Sequence, residues 1–242
     1  MQQTKNRADF RLNRYLARSG IAARRKCDEL IQNGFVSVND KIITIPGFRV
    51  TSDDKVMCQG RKVEPLAFVT AVLNKPCGYE TTLSPDSLRS VLQLIKGLPP
   101  GTVPVGRLDI NTGGLLLLSN DGELVHRLTH PSWQVEREYR LLLKAPPAPD
   151  MIRKLRKGVF LGRGEFSNPV SVKITGKKNI NIVLHTGRNK EVRRLAEKSQ
   201  LDLSRLERIR YGPITLNGLE RGSWRILRAE ELEKLKAAVD LD

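Results

Sequence analysis

The stretch that decides the fold is residues 104–118, PVGRLDINTGGLLLL. A run of four leucines such as Leu115–Leu118 is typical of a buried strand or helix, and Asn111–Gly114 before it are turn residues. Asp109 therefore stands beside a buried element, two residues after Arg107. Because a neighbouring cation favours the ionised form of a carboxyl group, the segment predicts an aspartate displayed as a nucleophile or base. The alternative is an aspartate that only hydrogen-bonds its own turn, which is common.

The charge balance of the chain favours a polyanionic partner. Its 242 residues include 42 Lys and Arg against 26 Asp and Glu, a formal net charge of +16. Each phosphate that a basic protein neutralises releases condensed cations, so this excess predicts binding to nucleic acid. Aromatic residues make up 5% of the chain, so platforms that stack on bases have to be few and local.

Several other classes of protein are disfavoured. No apolar run approaches the length of a membrane-spanning helix, and the first residues lack the apolar core of a signal peptide. The three cysteines are widely spaced without a CxxC pair, and their odd number suits a reducing compartment. The three histidines do not join them at the spacing of metal ligands. We therefore expect a cytoplasmic protein with no metal site and no membrane association.

The first sixty residues predict a small independent unit. Residues 1–62 carry 13 Lys and Arg and 6 Asp and Glu, an excess of seven positive charges. Leu12, Tyr15 and Leu16 follow helical spacing before Gly20, which is suited to ending that helix. A second helix is predicted over residues 22–34, and its basic face consists of Arg24, Arg25 and Lys26. Basic side chains near a helix start can form a phosphate-binding surface.

The order of these elements resembles a known RNA-binding domain. Residues 10–57 are similar to the small domain named after ribosomal protein S-four, in a helix–Gly–helix–Gly–VxVN order. The sequences that carry the resemblance are RLNRYLARSGIAARRKCDELIQNGFVSVNDKII and PGFRVTSDDKV. The alternative is a generic basic helical hairpin. We place a small helix-rich RNA-binding domain at residues 8–60, with a polar linker over residues 59–65.

Residues 68–242 predict an α+β domain around a mixed, mostly antiparallel sheet. Predicted strands lie at residues 69–76, 115–118, 137–143, 171–174, 181–184 and 205–213, and predicted short helices at 91–95, 123–128, 151–156, 190–200 and 230–239. Strands that alternate with short helices, mostly through hairpin-length turns, are typical of such a domain.

Three further segments carry clusters of charged and aromatic side chains: EREYR at 136–140, HTGRNKEVRR at 185–194 and RLERIRYGP at 205–213. Taken singly, a strand tyrosine usually belongs to the core and a basic stripe is usually solvated or binds phosphate. Together with the GRLD loop, and in this order, they resemble the pseudouridine synthases of the RsuA/RluB type. PVGRLDINTGGLLLLSNDGEL, VEREYRL and GRNKEVRRLAE are similar to the RluB branch, which modifies large-subunit ribosomal RNA.

The resemblance, which covers nearly the whole chain, implies roles for individual residues. Asp109 aligns with the essential aspartate of that family, which acts either by attack, making a covalent adduct, or by removing the 2′ proton to give a glycal. Arg193 aligns with the arginine that pairs with this aspartate, and Tyr139 with the tyrosine that stacks on the uracil. Leu206 is implied as a wall of the pocket. Candidates for contacts to phosphates around the target nucleotide are Arg107, Arg188 and Arg194.

The implied reaction also predicts which cofactors and partners the protein needs. Isomerisation of uridine moves no hydride, phosphoryl or methyl group, so no cofactor is expected, and the sequence contains no G-x-x-x-x-G-K-[ST] or G-x-G-x-x-G motif. The expected partner is ribosomal RNA, in particular 23S rRNA, and the expected state is a monomer. Lys190 and Glu191 stand where many other uridine isomerases have a His-Gln pair, which fits the RluB-like branch.

Two other functions remain open at this stage. One is the same chemistry on 16S rRNA or transfer RNA. The other is a non-catalytic, ribosome-associated RNA-binding protein that retains the fold. A retired enzyme would be expected to have lost at least one of Asp109, Tyr139 and Arg193, and the chain has all three.

Overall fold

The computed structural model describes residues 10–162 and 164–241, and these form two compact units. The smaller unit comprises the residues up to Val69 together with Gly97–Thr102, and the larger one comprises Thr70–Lys96 and the residues from Val103 onward. Residues 8, 9, 163 and 242, which belong to the predicted domain ranges, lie outside the described residues.

Within its described residues the smaller unit contains two helices and six short strands. They are β1 (Phe10–Arg11), α1 (Leu12–Arg18), α2 (Arg24–Gln32), β2 (Val36–Val38), β3 (Lys41–Ile42), β4 (Arg49–Val50), β5 (Val56–Cys58) and β6 (Arg61–Lys62). Strand β1 pairs with β4, and the other four form an antiparallel sheet in the order β3-β2-β5-β6. The predicted linker over residues 59–65 is wrong at Arg61–Lys62, because these residues pair with Met57–Cys58.

The core of the smaller unit explains the pattern of its helices. Leu12 and Leu16 of α1 pack with Ile31 of α2 and with Val36 and Val56 of the sheet. The start of α2 bears the exposed side chains of residues 24–26, while its Cys27 and Ile31 are buried. Helix and strand faces that bury one apolar stripe against each other make a stable layer.

The larger unit contains eleven strands and four α-helices within the described residues. In chain order they are β7 (Thr70–Lys75), β8 (Val103–Pro104), β9 (Thr112–Ser119), α3 (Gly122–Thr129), β10 (Arg137–Leu143), α4 (Pro149–Lys157), β11 (Val159–Gly162), β12 (Glu165–Ser167), β13 (Ser171–Gly176), β14 (Asn179–Leu184), α5 (Glu191–Lys198), β15 (Leu203–Tyr211), β16 (Ile214–Thr215), β17 (Trp224–Ile226) and α6 (Ala229–Ala237). Single 3-10 turns lie at Val91–Gln93 and Pro131–Trp133.

A mixed sheet in the order β13-β14-β10-β15-β9-β7-β17 organises this unit, with β16 beside β15 and β8 beside β9. The β9–β15 contact is parallel, and the other pairings of the sheet are antiparallel. The predicted α+β architecture around a mostly antiparallel sheet is confirmed. Strand β9 lies near the centre, so its leucines are covered on both faces, as the continuous apolar run requires.

The glycines before the leucine run belong to the strand, which corrects the prediction of a turn over Asn111–Gly114. Strand β9 begins at Thr112, and Gly114 has a φ of +96°. A Cβ atom at Gly114 would lie 2.2 Å from the carbonyl oxygen of Arg208. Glycine is therefore required because β9 and β15 approach each other closely at this point.

Candidate active site

Asp109 lies on the loop between β8 and β9, and hydrogen bonds on both sides fix this loop. The amide N–H of Thr112 donates to the carbonyl oxygen of Asp109 at 2.9 Å. One residue earlier, Leu108 is tied to Thr81, whose hydroxyl donates to its carbonyl at 2.7 Å and accepts from its amide at 3.2 Å. The Asp109 side chain remains 35% exposed, so the loop presents its carboxylate to the outside while the backbone is held.

A buried lysine supports the same loop from beneath. Lys75, at the end of β7, is 1% exposed, and its Nζ donates to the carbonyl oxygens of Thr112 at 2.9 Å and Asp109 at 3.3 Å. Burial lowers the pKa of Lys75 to about 8, although the nearby Asp109 acts in the opposite direction. Our sequence reasoning missed this residue; the signal was a lysine at the end of a strand whose centre, residues 71–73, is apolar.

The three residues implied as catalytic meet in one cavity. Its volume is about 690 Å³, and Asp109, Tyr139, Arg193 and Leu206 all line it. They come from a loop, from β10, from α5 and from β15, elements that are distant in sequence but adjacent across the sheet. A cavity of this size is in the range that holds a small organic ligand such as a nucleotide.

Arg193 contacts both the Asp109 carboxylate and the loop that follows it. Its Nε lies 3.9 Å from Oδ2 of Asp109, and its Nη2 donates to the carbonyl oxygen of Asn111 at 2.7 Å and to Thr112 Oγ1 at 3.3 Å. The contact with the carboxylate is thus a single ion pair rather than a two-bond fork. Among the described residues none donates a hydrogen bond to the carboxylate, which leaves its oxygens available to a substrate.

Tyr139 and Leu206 occupy neighbouring central strands. Tyr139 of β10 is 8% exposed and pairs with Ile182 on one side and Arg208 on the other. Leu206 of β15 pairs with Thr112 of β9, so it lies directly beside the end of the Asp109 loop. The two side chains give the cavity an aromatic surface and an apolar one.

Two buried arginines, Arg137 and Arg208, also line the cavity, and sequence reasoning did not identify them. Arg137 donates to the carbonyl oxygens of His185 at 2.6 Å and Leu128 at 3.0 Å. Arg208 donates to the carbonyl of Leu115 at 2.8 Å, and both guanidinium groups lie about 5 Å from the centre of the Tyr211 ring. The Nη2 atom of Arg208 is buried without a hydrogen-bond partner among the described residues. Because both arginines line the cavity, their positive charge would attract an anionic substrate.

Glu191 holds the loop that closes one side of the cavity. It is 3% exposed, and its carboxylate accepts hydrogen bonds from Ser167 Oγ and Thr186 Oγ1, both at 2.6 Å, and from the amide of Arg188 at 2.9 Å. Buried carboxylates need such partners. Glu191 thus positions residues 186–190, whose last member, Lys190, has a left-handed φ of 48°.

Comparison with protein families assigns the catalytic unit. A model of the RNA pseudouridylate synthase family matches residues 69–198, which is more than half of the chain. The chain belongs to this family. An S4 domain model matches residues 10–56. The protein is therefore an isomerase that converts uridine to pseudouridine in RNA, joined to an S4 domain.

Individual relatives extend over almost the full length of this enzyme. It is 37% identical over 237 residues to the ribosomal large subunit pseudouridine synthase B of Bacillus subtilis (strain 168), covering 95% of this chain and 97% of that one. It is 38% identical over 240 residues to an uncharacterized RNA pseudouridine synthase of Aquifex aeolicus, covering 96% of each. A crystal structure of a pseudouridylate synthase superposes with a TM-score of 0.67 at 26% identity, over 93% of this chain and 99% of that one.

Of the three arginines predicted to contact phosphates around the target nucleotide, two line the catalytic cavity and one does not. Arg107 and Arg188 are exposed and line the cavity. Arg194 is not part of the cavity lining, and it pairs with Glu165 at 2.7 Å and donates to the carbonyl of Leu161 at 2.9 Å. It braces α5 against the β11–β12 hairpin instead. Arg24, Arg25 and Lys26 lie exposed on the smaller unit.

Within residues 10–162 and 164–241, no group of three or more His, Cys, Asp or Glu side chains is arranged to hold a metal ion. In the same part of the chain, every helix is too short or too polar to cross a membrane.

Proposed function

We propose that Asp109 is the essential carboxylate of the isomerisation. The observation that carries this proposal is that Asp109, Tyr139 and Arg193, from three separate elements, line one cavity. The reaction has to break the bond from the ribose to N1 of uracil, rotate the base and join it again at C5. A carboxylate on a fixed loop can serve by attack, making a covalent adduct, or by removing the 2′ proton to give a glycal.

The neighbouring side chains complete the site. Tyr139 stacks on the uracil ring, and its hydroxyl is available to assist the loss of the C5 proton. Leu206 forms an apolar wall of the pocket, and Arg193 orients the Asp109 carboxylate through their ion pair. The uridine has to leave its stack to reach Asp109, at a cost of a few kcal/mol that is smallest in loops and bulges. Arg107 and Arg188 bind phosphates around the flipped nucleotide.

The substrate that fits best is ribosomal RNA of the large subunit, 23S rRNA in bacteria. Support comes from the relatives that are named as large-subunit enzymes and from the net charge of +16. Residues 8–60 act as the RNA-binding domain, with Arg24, Arg25 and Lys26 as phosphate contacts, and residues 68–242 act as the catalytic domain. We propose that the enzyme works as a monomer in the cytoplasm, without a cofactor.

Mapping of pseudouridines in a strain that lacks this gene tests the substrate. We expect one or a few pseudouridines to disappear from 23S rRNA and to return when the wild-type gene is restored. A matched strain that carries Asp109→Asn separates loss of chemistry from loss of the protein. Disappearance of a site in 16S rRNA or transfer RNA would reject the large-subunit substrate, and an unchanged map in all RNAs would reject the function.

A further inference from the structure

A second cavity lies in the catalytic unit, between the end of α4 and the start of β11. Its volume is about 590 Å³. The charged and aromatic side chains that line it are Arg153, Lys154, Lys157, Lys198, Asp150 and Phe160. None of these residues is used by the proposed reaction.

The cavity carries unneutralised positive charge. Four cations and one carboxylate line it, and all five side chains are exposed. Within the described part of the chain none of the four cations forms a salt bridge or a side-chain hydrogen bond, whereas Arg194 nearby is paired with Glu165. Cations in the last turn of a helix interact favourably with its dipole, which accounts for Lys154 and Lys157. That effect does not account for the aromatic groups beside them.

Two exposed phenylalanines form the apolar part of this surface. Phe160 is 67% exposed and Phe166 is 44% exposed, and they face each other across the β11–β12 hairpin with ring centres 5.1 Å apart, edge to face. Gly158 has a φ of +80°, and a Cβ atom there would lie 2.7 Å from the carbonyl oxygen of Ser167 and 2.8 Å from the Phe166 ring, so a glycine is needed where the hairpin packs on the helix end. Exposed aromatic rings among unpaired cations are the combination that binds single-stranded nucleic acid.

The hairpin connects this surface with the catalytic cavity. Arg188, which lines the catalytic cavity, donates to the carbonyl oxygen of Phe166 at 2.6 Å. The hydroxyl of the next residue, Ser167, donates to the buried Glu191 at 2.6 Å. An RNA strand that leaves the cleft past Arg188 therefore meets the aromatic pair and then the cations of α4.

We propose that the second cavity is a subsite for unpaired RNA that flanks the target uridine. Phe160 stacks on one base, while Arg153, Lys154, Lys157 and Lys198 contact the phosphates on either side of it. The subsite thus adds contacts to nucleotides beyond the flipped one. This inference rests on the proposed function, because it requires that RNA enters the catalytic cavity.

Binding measurements on the full-length enzyme test the subsite. The probe is an rRNA fragment that contains the modified uridine with several unpaired nucleotides on both sides. We expect Phe160→Ala to weaken binding about tenfold, as loss of one stacked base does, and Phe160→Trp to bind as the wild type does. Phe160 is largely exposed, so the fold tolerates both changes.

Charge reversal supplies a second, matched test. Lys157 and Lys234 are both exposed lysines in the last turn of a nine-residue helix, α4 and α6, so Glu at either position perturbs net charge and helix dipole alike. We expect Lys157→Glu to lower the slope of log affinity against log salt by at least about 0.7, and Lys234→Glu to leave it nearer to the wild-type value.

The outcomes separate the subsite from the reaction. Single-turnover rates at saturating enzyme should stay near the wild-type rate for Phe160→Ala and Lys157→Glu, since the subsite acts on binding. Wild-type affinity in Phe160→Ala, or equal slopes for the two lysine variants, would overturn the subsite. Failure of the wild type to isomerise the bound fragment would instead reject the proposed function, and the affinities would still report on the subsite.

Discussion

Arg193 holds Asp109 from two directions, through the carboxylate and through the backbone that follows it. Its Nε lies 3.9 Å from Oδ2 of Asp109, and its Nη2 donates at 2.7 Å to the carbonyl of Asn111. One guanidinium group thus contacts the carboxylate and the loop backbone at the same time. A lysine has one nitrogen and can serve one of these partners well at a time.

We therefore predict that Arg193→Lys loses about a hundredfold in the single-turnover rate at saturating enzyme, as misplacement of a reacting group does. RNA affinity should change little, because the positive charge is kept. Arg188→Lys is the matched control, since Arg188 also lines the cavity but does not contact Asp109. A near-normal single-turnover rate for Arg193→Lys, with weaker binding, would show that Arg193 binds phosphate instead.

The depressed pKa of Lys75 predicts how stability depends on pH. The pKa is about 8 in the folded protein and about 10.4 in an unfolded chain. Between these values the unfolded state binds more protons, so the free energy of unfolding rises with pH. The free energy of unfolding is therefore about 3 kcal/mol higher above pH 10.4 than below pH 8. This extra stability is fully present above pH 10.4 and is lost as the pH falls through 8.

Comparison with Lys75→Met isolates this effect, because other titrating groups are common to both proteins. Wild-type stability should rise relative to the variant between pH 8 and pH 10.4, as the values above require. The two tryptophans, Trp133 and Trp224, both lie in the larger unit, so their fluorescence follows its unfolding in urea. Parallel stability curves for the two proteins would contradict a depressed pKa at Lys75.

The basic start of α2 should bind RNA phosphates. Arg24→Ala with Arg25→Ala is expected to lower the slope of log affinity against log salt by about 1.8 on duplex RNA, at roughly 0.9 for each phosphate contact. Lys41→Ala with Arg61→Ala removes two exposed cations from the edge strands of the same unit and should have a smaller effect. Equal slopes for the two double variants in a filter-binding titration would show that α2 is not a specific contact.

Local sequence patterns were sufficient where one element decides the outcome. The leucine run predicted the buried strand β9, and the 3.6-residue spacing predicted α1 and α5. The residues that line the cavity were implied by the family resemblance instead. The predicted turn over Asn111–Gly114 extends too far: Asn111 lies in a turn, but Thr112–Gly114 belong to β9. Gly114 is required there by close approach to the backbone of Arg208 in β15, a residue far away along the chain.

The buried cations were missed for a related reason. Lys75, Arg137 and Arg208 are 1%, 7% and 2% exposed, whereas a sequence pattern assigns Lys and Arg to the surface. Their burial depends on carbonyl oxygens of other elements, such as those of Thr112 and His185. These partners are known only once the three-dimensional arrangement of the strands is known.

The central claim is that Asp109 performs the chemistry, and Asp109→Asn tests it most directly. The substitution keeps the size of the side chain and removes its charge, so RNA affinity should remain close to that of the wild type. Asp202→Asn, which changes an exposed carboxylate of the larger unit that lines neither cavity, is the control. The measurement is tritium release from rRNA labelled at C5 of uracil, since joining C5 to the ribose expels that hydrogen. We predict that Asp109→Asn loses at least about a hundredfold in rate and that Asp202→Asn turns over normally. Release by Asp109→Asn within about tenfold of the wild-type rate would contradict an essential role for Asp109.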